Sequence, residues 1–115
     1  MEDCIFCKII NKRLPSEIIY EDEETLVFKD IHPKAEVHLL IVPKKHIKSI
    51  NEATEKDERL LGRIFLTAKK VAEDLNLVSQ GYKLVLNVGR GAGQIINHIH
   101  LHLLSGNYNQ SLGEI

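Results

Sequence analysis

The chain has 115 residues but no tryptophan, one methionine, two cysteines, and no excess of either charge. Its 15 basic and 16 acidic residues disfavour a general nucleic-acid-binding or membrane-surface protein, because both need surplus positive charge. No apolar run approaches the roughly 20 residues that span a bilayer. The first residues do not form a signal-peptide pattern, so we expect a cytoplasmic protein, in which a structural disulfide is a poor first interpretation of two cysteines.

The overall composition is typical of an ordinary globular protein, with 43% hydrophobic and 27% charged residues. No internal repeat, low-complexity stretch or linker divides the sequence. A chain of this length builds one core, so we expect residues 1–115 to form a single domain.

The spacing of apolar residues predicts an α+β fold. A short helix is expected over 5–14, and Pro15 is expected to end it. Segments 18–20 and 26–28 indicate a hairpin around an acidic turn, and 38–42 is a buried strand that ends at Pro43. Two further strands are predicted over 82–87 and 97–104. Antiparallel strands with one main helix packed on a face of the sheet would bury these apolar residues.

The main helix is predicted from residue 56 onward, with Thr54 and Asp57 at its N-cap and Asn76 at its end. Apolar residues recur there at steps of three and four and form a single stripe. The stripe comprises Leu60, Leu61, Ile64, Phe65, Ala68, Val71, Ala72 and Leu75.

Three histidines alternate with aliphatic residues in the last predicted strand. His98, His100 and His102 would emerge on one side, while the intervening aliphatic side chains point into the core. An imidazole cluster offers a nucleophile, a proton donor and a proton acceptor at neutral pH, which suits substitution at phosphorus. Two other interpretations are a His-rich solvated face and a His-only catalytic metal site, although no acidic residue lies between Asp74 and Glu114 to serve that metal.

A glycine-rich loop precedes the histidine strand. The stretch 91–94 reads Gly-Ala-Gly-Gln, and such a loop can present backbone N–H groups to phosphate oxygens. With Gly89 the loop has three glycines, which alone more often make only a turn, so it is the adjacency to the histidines that favours a phosphate site.

The spacing of Cys4 and Cys7 fits a metal knuckle, a redox pair or two small buried hydrophobic residues. A redox pair is expected at a helix start that follows a strand, and no strand precedes these cysteines. The cysteines alone do not decide between the three.

The motif His98 to Leu104 resembles the signature of the histidine triad family, in which three histidines alternate with hydrophobic residues. The resemblance extends over almost the whole chain and is closest to the Hint branch of nucleoside phosphoramidases. It is carried in the family's order by 4–9, 28–31, 38–47, Asn87, Gly93 and Gln94, and the triad.

This resemblance implies a two-fold symmetric homodimer of α+β subunits that binds a purine nucleoside monophosphate. The implied reaction cleaves phosphoramidate or acyl-adenylate bonds through a nucleotidyl-histidine intermediate, without an organic cofactor, a nucleic-acid polymer or a membrane as partner. Two alternatives remain: a dinucleoside polyphosphate hydrolase and a non-catalytic, nucleotide-responsive interaction module.

The resemblance also implies residue roles. His100 would be the nucleophile, His102 would bind the phosphate, and His38 and His98 would complete the cluster. Asp30 would accept hydrogen bonds from the ribose, although an acid two residues before a His-Pro pair is equally typical of a turn. The base would lie on Ile5, Phe6, Ile9, Phe28 and Ile31, and the phosphate pocket would be shaped by Asn87, Gly93, Gln94 and Ile95.

Relatives with an N-terminal Cys-x-x-Cys imply a structural zinc, here on Cys4, Cys7, His46 and His98. Two thiolates and two imidazoles make a closed tetrahedral site. Ile95 departs from the family pattern, because the familiar relatives carry serine there. The tail over 105–115 carries no motif, so it leaves the amine side of the substrate open.

Overall fold

Over residues 3–106, the computed structural model of the chain has a five-stranded antiparallel sheet and two α-helices. The strands, in chain order, are β1 (Ile18–Glu21), β2 (Thr25–Lys29), β3 (Val37–Pro43), β4 (Lys83–Val85) and β5 (Leu101–Ser105). The helices are α1 (Ile5–Ile10) and α2 (Glu58–Asp74). Within the sheet the strand order is β1-β2-β3-β5-β4, which leaves β4 at an edge. The predicted α+β fold is confirmed.

The sheet separates two hydrophobic clusters. On one face, Leu39, Ile41 and the aliphatic residues of the triad segment pack against α2. On the other face, Leu40 and Val42 pack with Phe6 of α1. Because side chains alternate along a strand, β2 and β3 each contribute to both clusters, whereas β5 contributes Leu101 and Leu103 to the first. His38 and His102 take the α1 face, opposite the main helix.

The hairpin of β1 and β2 forms as predicted, although its turn has no glycine. Asp22 stabilises the turn instead, since its Oδ1 accepts hydrogen bonds from the Glu24 and Thr25 N–H groups and from the Thr25 hydroxyl. Burial opposes the charge of Asp22, but these bonds and one from Tyr20 outweigh it and lower its pKa to about 2.

The N-terminal helix is shorter than the predicted 5–14. It ends at Ile10, with Asn11 as C-cap and Lys12 in the left-handed region at φ 63°. The N–H groups of Arg13 and Leu14 then turn back to the Lys8 carbonyl. This local turn, rather than Pro15, stops the helix.

The main helix follows a 3-10 turn over Glu55–Asp57 with the expected capping residues: Thr54 and Asp57 bond each other's backbone. Leu75 is its C-cap and Asn76 adopts φ 59°, which confirms the predicted end. The apolar stripe is wider than the surface that the sheet covers. Phe65 and Leu75 are therefore 44% and 41% exposed instead of buried in this chain.

The last two strands are shorter than predicted. β4 covers three residues of the expected 82–87, and β5 begins at Leu101 instead of 97. The β3–β5 register pairs Ile41 with Leu101, so the next positions would set Pro43 opposite Ile99. Proline has no N–H for the ladder, and Ile99 donates instead to the Ile47 carbonyl. His98 and His100 therefore lie in an irregular segment just before the strand.

Among residues 3–106, no helix is both long and apolar enough to cross a membrane.

Candidate functional site

The three triad histidines lie together on the α1 face. His100 and His102 have ring centroids 5.0 Å apart, and Phe6 packs edge-on against both His98 and His100. Ile99, Leu101 and Leu103 point to the opposite cluster, as the alternation predicted. The expectation of projecting imidazoles is wrong for two of the three, because His98 and His100 are only 0% and 7% exposed. Covering by α1 accounts for this burial.

The hydrogen bonds of His100 fix its tautomer. Its Nδ1 lies 2.8 Å from the His98 carbonyl oxygen, which can only accept, so Nδ1 carries the proton. The other ring nitrogen, Nε2, then keeps a lone pair. A neutral imidazole with this tautomer presents Nε2 as a nucleophile or base.

A hydrogen bond from His38 of β3 determines which ring nitrogen of His102 carries the proton. The Lys34 N–H donates to Nδ1 of His38, so His38 is protonated on Nε2, and that group donates to Nδ1 of His102 over 2.9 Å. His102 therefore carries its own proton on Nε2. The β3–β5 pairing therefore leaves His102 with an Nε2–H donor, next to His100 with its Nε2 lone pair.

Asp30 comes to this cluster from the end of β2. Its Oδ2 lies 3.4 Å from Nε2 of His38, while Oδ1 accepts from the His32 N–H. Asp30, His38 and His102 are close enough to form a second group with metal-ligand chemistry. Sequence analysis assigned Asp30 to the ribose hydroxyls by resemblance. It did not place Asp30 beside the histidines, since the two are joined only by the β2–β3–β5 pairing.

Burial keeps the cluster neutral. It is the main cause that lowers the pKa of His100 and His38, although Asp30 opposes the shift at both. The pKa of His102 falls to about 4, first through burial and then through the neighbouring His100 and His38. Neutral imidazoles supply the lone pairs that attack at phosphorus requires.

The glycine-rich loop closes on itself rather than offering all its N–H groups. Those of Ala92, Gly93 and Gln94 donate to carbonyls of the same loop. The expectation that 91–94 supplies the donors is therefore wrong for 92–94. Within the described part of the chain, the next N–H, that of Ile95, has no hydrogen-bond partner.

The other predicted phosphate-pocket residues shape this loop. Asn87 donates through Nδ2 to the Ala92 carbonyl, and Gly93 adopts φ 93°, a conformation that side chains disfavour. Gln94 is buried and Ile95 is 72% exposed. The structure thus brings Asn87, Gly93 and Gln94 together as one loop, with Ile95 at its outer edge.

The predicted base-binding residues divide into two sets. Phe6, Ile9 and Phe28 are buried in one cluster, where the Phe6 and Phe28 rings meet edge-on at 5.6 Å. Ile5 and Ile31 are 45% and 82% exposed. Within the first set, Phe6 packs against His98 and His100, whereas the second set lies at the surface.

Cys4, Cys7, His46 and His98 converge, although they come from three separate parts of the chain. Their ligand atoms all lie within 4.8 Å of one another. Nδ1 of His98 is 3.4 Å from Cys4 Sγ and 3.1 Å from Nδ1 of His46, and Cys7 Sγ is 3.3 Å from Nδ1 of His46. We call these four residues the Cys₂His₂ cluster.

The donor set fits a tetrahedral ion. Bonds of about 2.3 Å to sulfur and about 2.1 Å to nitrogen put ligand atoms about 3.4–3.8 Å apart, close to the observed separations. Nε2 of His98 donates to the Pro43 carbonyl over 2.8 Å, which leaves the Nδ1 lone pair facing the sulfurs. Burial is the main cause that lowers the pKa of His46, and it also lowers the pKa of His98 to about 4. Both imidazoles are therefore neutral, which metal binding requires.

Comparisons with known proteins show which family the chain belongs to. A family profile described as "Scavenger mRNA decapping enzyme C-term binding" matches residues 3–114. A purine nucleoside phosphoramidase from Escherichia coli strain K12 is 42% identical over 105 residues, 91% of this chain and 88% of that protein. An uncharacterized HIT-like protein of Synechocystis is 48% identical, over 91% of each chain.

Solved structures agree with the sequence relatives. A HIT family hydrolase from Legionella pneumophila superimposes with a TM-score of 0.90 at 46% identity, covering 96% of this chain and 98% of that one. A HIT family hydrolase from Clostridium thermocellum gives the same TM-score at 48% identity, covering 96% of both chains. On the matching profile, the relatives and the shared fold, this chain belongs to the histidine triad (HIT) family.

Proposed function

We propose that this chain is a hydrolase that cleaves the P–N bond of purine nucleoside phosphoramidates, and related acyl-adenylates, to release AMP. The observation that carries the proposal is the 2.8 Å contact between His100 Nδ1 and the His98 carbonyl oxygen. It leaves the Nε2 lone pair of a buried, neutral imidazole available for attack at phosphorus. The 42% identical relative named a purine nucleoside phosphoramidase supports the substrate class.

The reaction divides into two displacements. His100 Nε2 attacks phosphorus, the P–N bond breaks, and the leaving amine takes up a proton. Water then attacks the nucleotidyl-imidazole and loses a proton, which balances the one taken up by the amine. AMP is released and the free imidazole is regenerated. His102 carries its proton on Nε2 and is the neighbouring donor to the phosphoryl oxygens, where negative charge accumulates.

The remaining residues would bind the nucleotide. We assign Asp30 to the ribose hydroxyls. The backbone N–H of His32 donates to its Oδ1 and holds the carboxylate beside the triad, with Oδ2 3.4 Å from Nε2 of His38. The Ile95 N–H is the backbone donor for a phosphate oxygen, and Asn87 and Gly93 hold the loop that carries it. We assign the exposed side chains of Ile5 and Ile31 to the base, together with the buried residues Phe6, Ile9 and Phe28.

We also propose that the Cys₂His₂ cluster holds a structural zinc. It has four protein ligands and no open position, so its role is to fix α1 and His98 rather than to contact substrate. Zinc would supply cross-linking of these segments, and the chemistry at phosphorus stays with the imidazoles.

The functional unit that we propose is a cytoplasmic homodimer of single-domain subunits, residues 1–115. Two features favour a second copy as partner: the position of β4 at the edge of the sheet within residues 3–106, and the exposed apolar side chains Phe65 and Leu66 on α2.

The test is hydrolysis of adenosine 5′-phosphoramidate followed by release of AMP. Wild type and a His32→Asn control, which changes an exposed histidine outside the cluster, should turn over alike. His100→Asn should lose activity by about 10³-fold or more while still binding AMP. Equal rates for wild type and His100→Asn would refute the nucleophile. AMP binding without turnover would favour the interaction module, and faster cleavage of a dinucleoside polyphosphate would favour that alternative.

A further inference from the structure

Gln94 is the most tightly held polar side chain near the triad. It is 3% exposed, although glutamine is usually found at the surface. Its Oε1 accepts from the Gly89 N–H over 2.9 Å, and its Nε2 donates to the Lys48 carbonyl over 2.6 Å and to the Ile96 carbonyl over 3.0 Å. The carboxamide therefore uses both amide protons and an oxygen lone pair inside the protein, and its bonds hold it there rather than leave it free for a ligand.

These bonds close the loop at both ends. The Gln94 N–H donates to the Gly89 carbonyl while the Gly89 N–H donates to the Gln94 side chain, so residues 89 and 94 are joined twice. These two bonds make the loop between residues 89 and 94 rigid. Ile95 follows this loop directly, and within the described residues its N–H has no hydrogen-bond partner.

A short chain of hydrogen bonds connects Gln94 to the nucleophile. The Ile96 carbonyl accepts both from Gln94 Nε2 and from the His98 N–H. The His98 carbonyl in turn accepts from Nδ1 of His100. The Lys48 bond anchors this segment beside the Ile47 carbonyl, which accepts from the Ile99 N–H.

We propose that Gln94 is a positioning residue that sets the orientation of the His98 carbonyl, and through it the Nδ1-protonated tautomer of His100. It does this without touching the nucleotide. Its effect on catalysis rests on the proposed function, whereas its effect on the His100 tautomer does not.

Three substitutions separate the parts of this role. Gln94→Met keeps the length and removes every side-chain hydrogen bond, and Gln94→Glu keeps a side-chain acceptor for Gly89 but loses both side-chain donors. The backbone bond from the N–H of residue 94 to the Gly89 carbonyl remains in both variants. Gln94→Asn keeps the amide but shortens the reach, and it serves if the methionine variant fails to fold. The matched control is Gln80→Met, since the exposed Gln80 also donates a hydrogen bond, to the Ser105 hydroxyl.

The first readout is kinetic. At temperatures well below each variant's Tm, Gln94→Met and Gln94→Glu should reduce kcat for adenosine 5′-phosphoramidate by about 10- to 100-fold, because small misplacement of a reacting group is costly. Gln80→Met should keep the wild-type kcat. A merely structural role would lower Tm while the folded protein kept its kcat, and that result would overturn the proposal.

The second readout is independent of turnover. Nitrogen NMR of the imidazole rings in the full-length chain should report Nδ1-protonated His100 in wild type and in Gln80→Met, and a mixture of tautomers in the Gln94 variants. Unchanged His100 signals in folded Gln94→Met and Gln94→Glu would overturn the proposal. If wild type released no AMP, the proposed function would fail while this measurement still decided the role of Gln94.

Discussion

His38 and His102 face each other across the β3–β5 pair, and Nε2 of His38 donates to Nδ1 of His102 over 2.9 Å. The two are diagonal neighbours on one face of the sheet, since His38 pairs with Leu104 and His102 with Leu40. The bond requires His102 to be unprotonated on Nδ1. It therefore links the protonation of the site to the stability of the fold.

This link predicts a pH dependence of stability. The pKa of His102 is lowered from its usual 6.5 to about 4 by burial, then by facing His100 and His38, while Asp30 raises it and Lys34 lowers it further. Between those values the unfolded chain binds a proton at this residue and the native chain does not. The free energy of unfolding should therefore fall as pH falls from about 6.5 to about 4.

The measurement is urea unfolding at a series of pH values for wild type and His102→Gln. The variant should show a shallower loss of stability across that range, by up to one proton in the linkage slope. His32→Gln, at an exposed histidine, is the matched control and should follow wild type. Parallel slopes for wild type and His102→Gln would contradict the assignment.

The Cys₂His₂ cluster predicts one zinc per chain. Elemental analysis of the purified protein should find it, and Cys7→Ser and His46→Ala should lose most of it. Burial, a hydrogen bond with Cys4 and repulsion from that neighbour raise the pKa of the Cys7 thiol to about 11 in the metal-free chain. Metal uptake must displace that proton, so calorimetry in buffers of different ionisation enthalpy should record proton release.

Removing the metal should also destabilise the protein. With zinc about 1,000-fold above its Kd, binding contributes about 4 kcal/mol to the free energy of unfolding. A strong chelator should therefore lower the Tm of wild type but not that of Cys7→Ser. An equal Tm for wild type with and without chelator, at full metal loss, would contradict a structural role.

The capping box before α2 predicts a stability effect remote from catalysis. Asp57 is 4% exposed, accepts from the Thr54 N–H, and forms an ion pair with Lys45. Thr54→Ala and Asp57→Ala should each lower the free energy of unfolding by about 1 kcal/mol, as the loss of a helix cap does. Turnover below the Tm should stay at the wild-type value. A control at Lys56→Ala, which leaves both cap side chains in place, should change little.

The exposed apolar residues of α2 predict where a second copy packs. Phe65→Glu should shift the chain from dimer to monomer in light scattering coupled to size exclusion, because burying an unpaired carboxylate is costly. Leu14→Glu, at an exposed leucine beyond α1, should leave the mass unchanged. A wild-type mass of one chain at micromolar concentration would contradict the homodimer.

Several features of the fold follow from local sequence. Alternation of His and aliphatic residues over 98–104 determined which side chains share a face, because side chains of an extended chain alternate whether or not a ladder forms. Thr54 and Asp57 marked the start of the main helix, and Asn76 its end, because caps depend on residues within one turn. The extent of β5 did not follow, since it depends on Pro43 in a different strand.

Which groups meet, and which ring nitrogens carry their protons, follows from the folded arrangement of the strands and α1. Pairing of β3 with β5 brought His38 to His102, the end of β2 brought Asp30 to both, and α1 buried His98 and His100. Carbonyls of Pro43 and His98 then selected the tautomers of His98 and His100. Residue types, their alternation and the ends of the main helix could be inferred from local sequence, whereas the end of α1 could not. Burial, pKa and the tautomers of His98 and His102 depend on partners far along the chain, and a local pattern contains no information about those contacts. The tautomer of His100 depends on a carbonyl only two residues away, but the orientation of that carbonyl is a property of the folded chain.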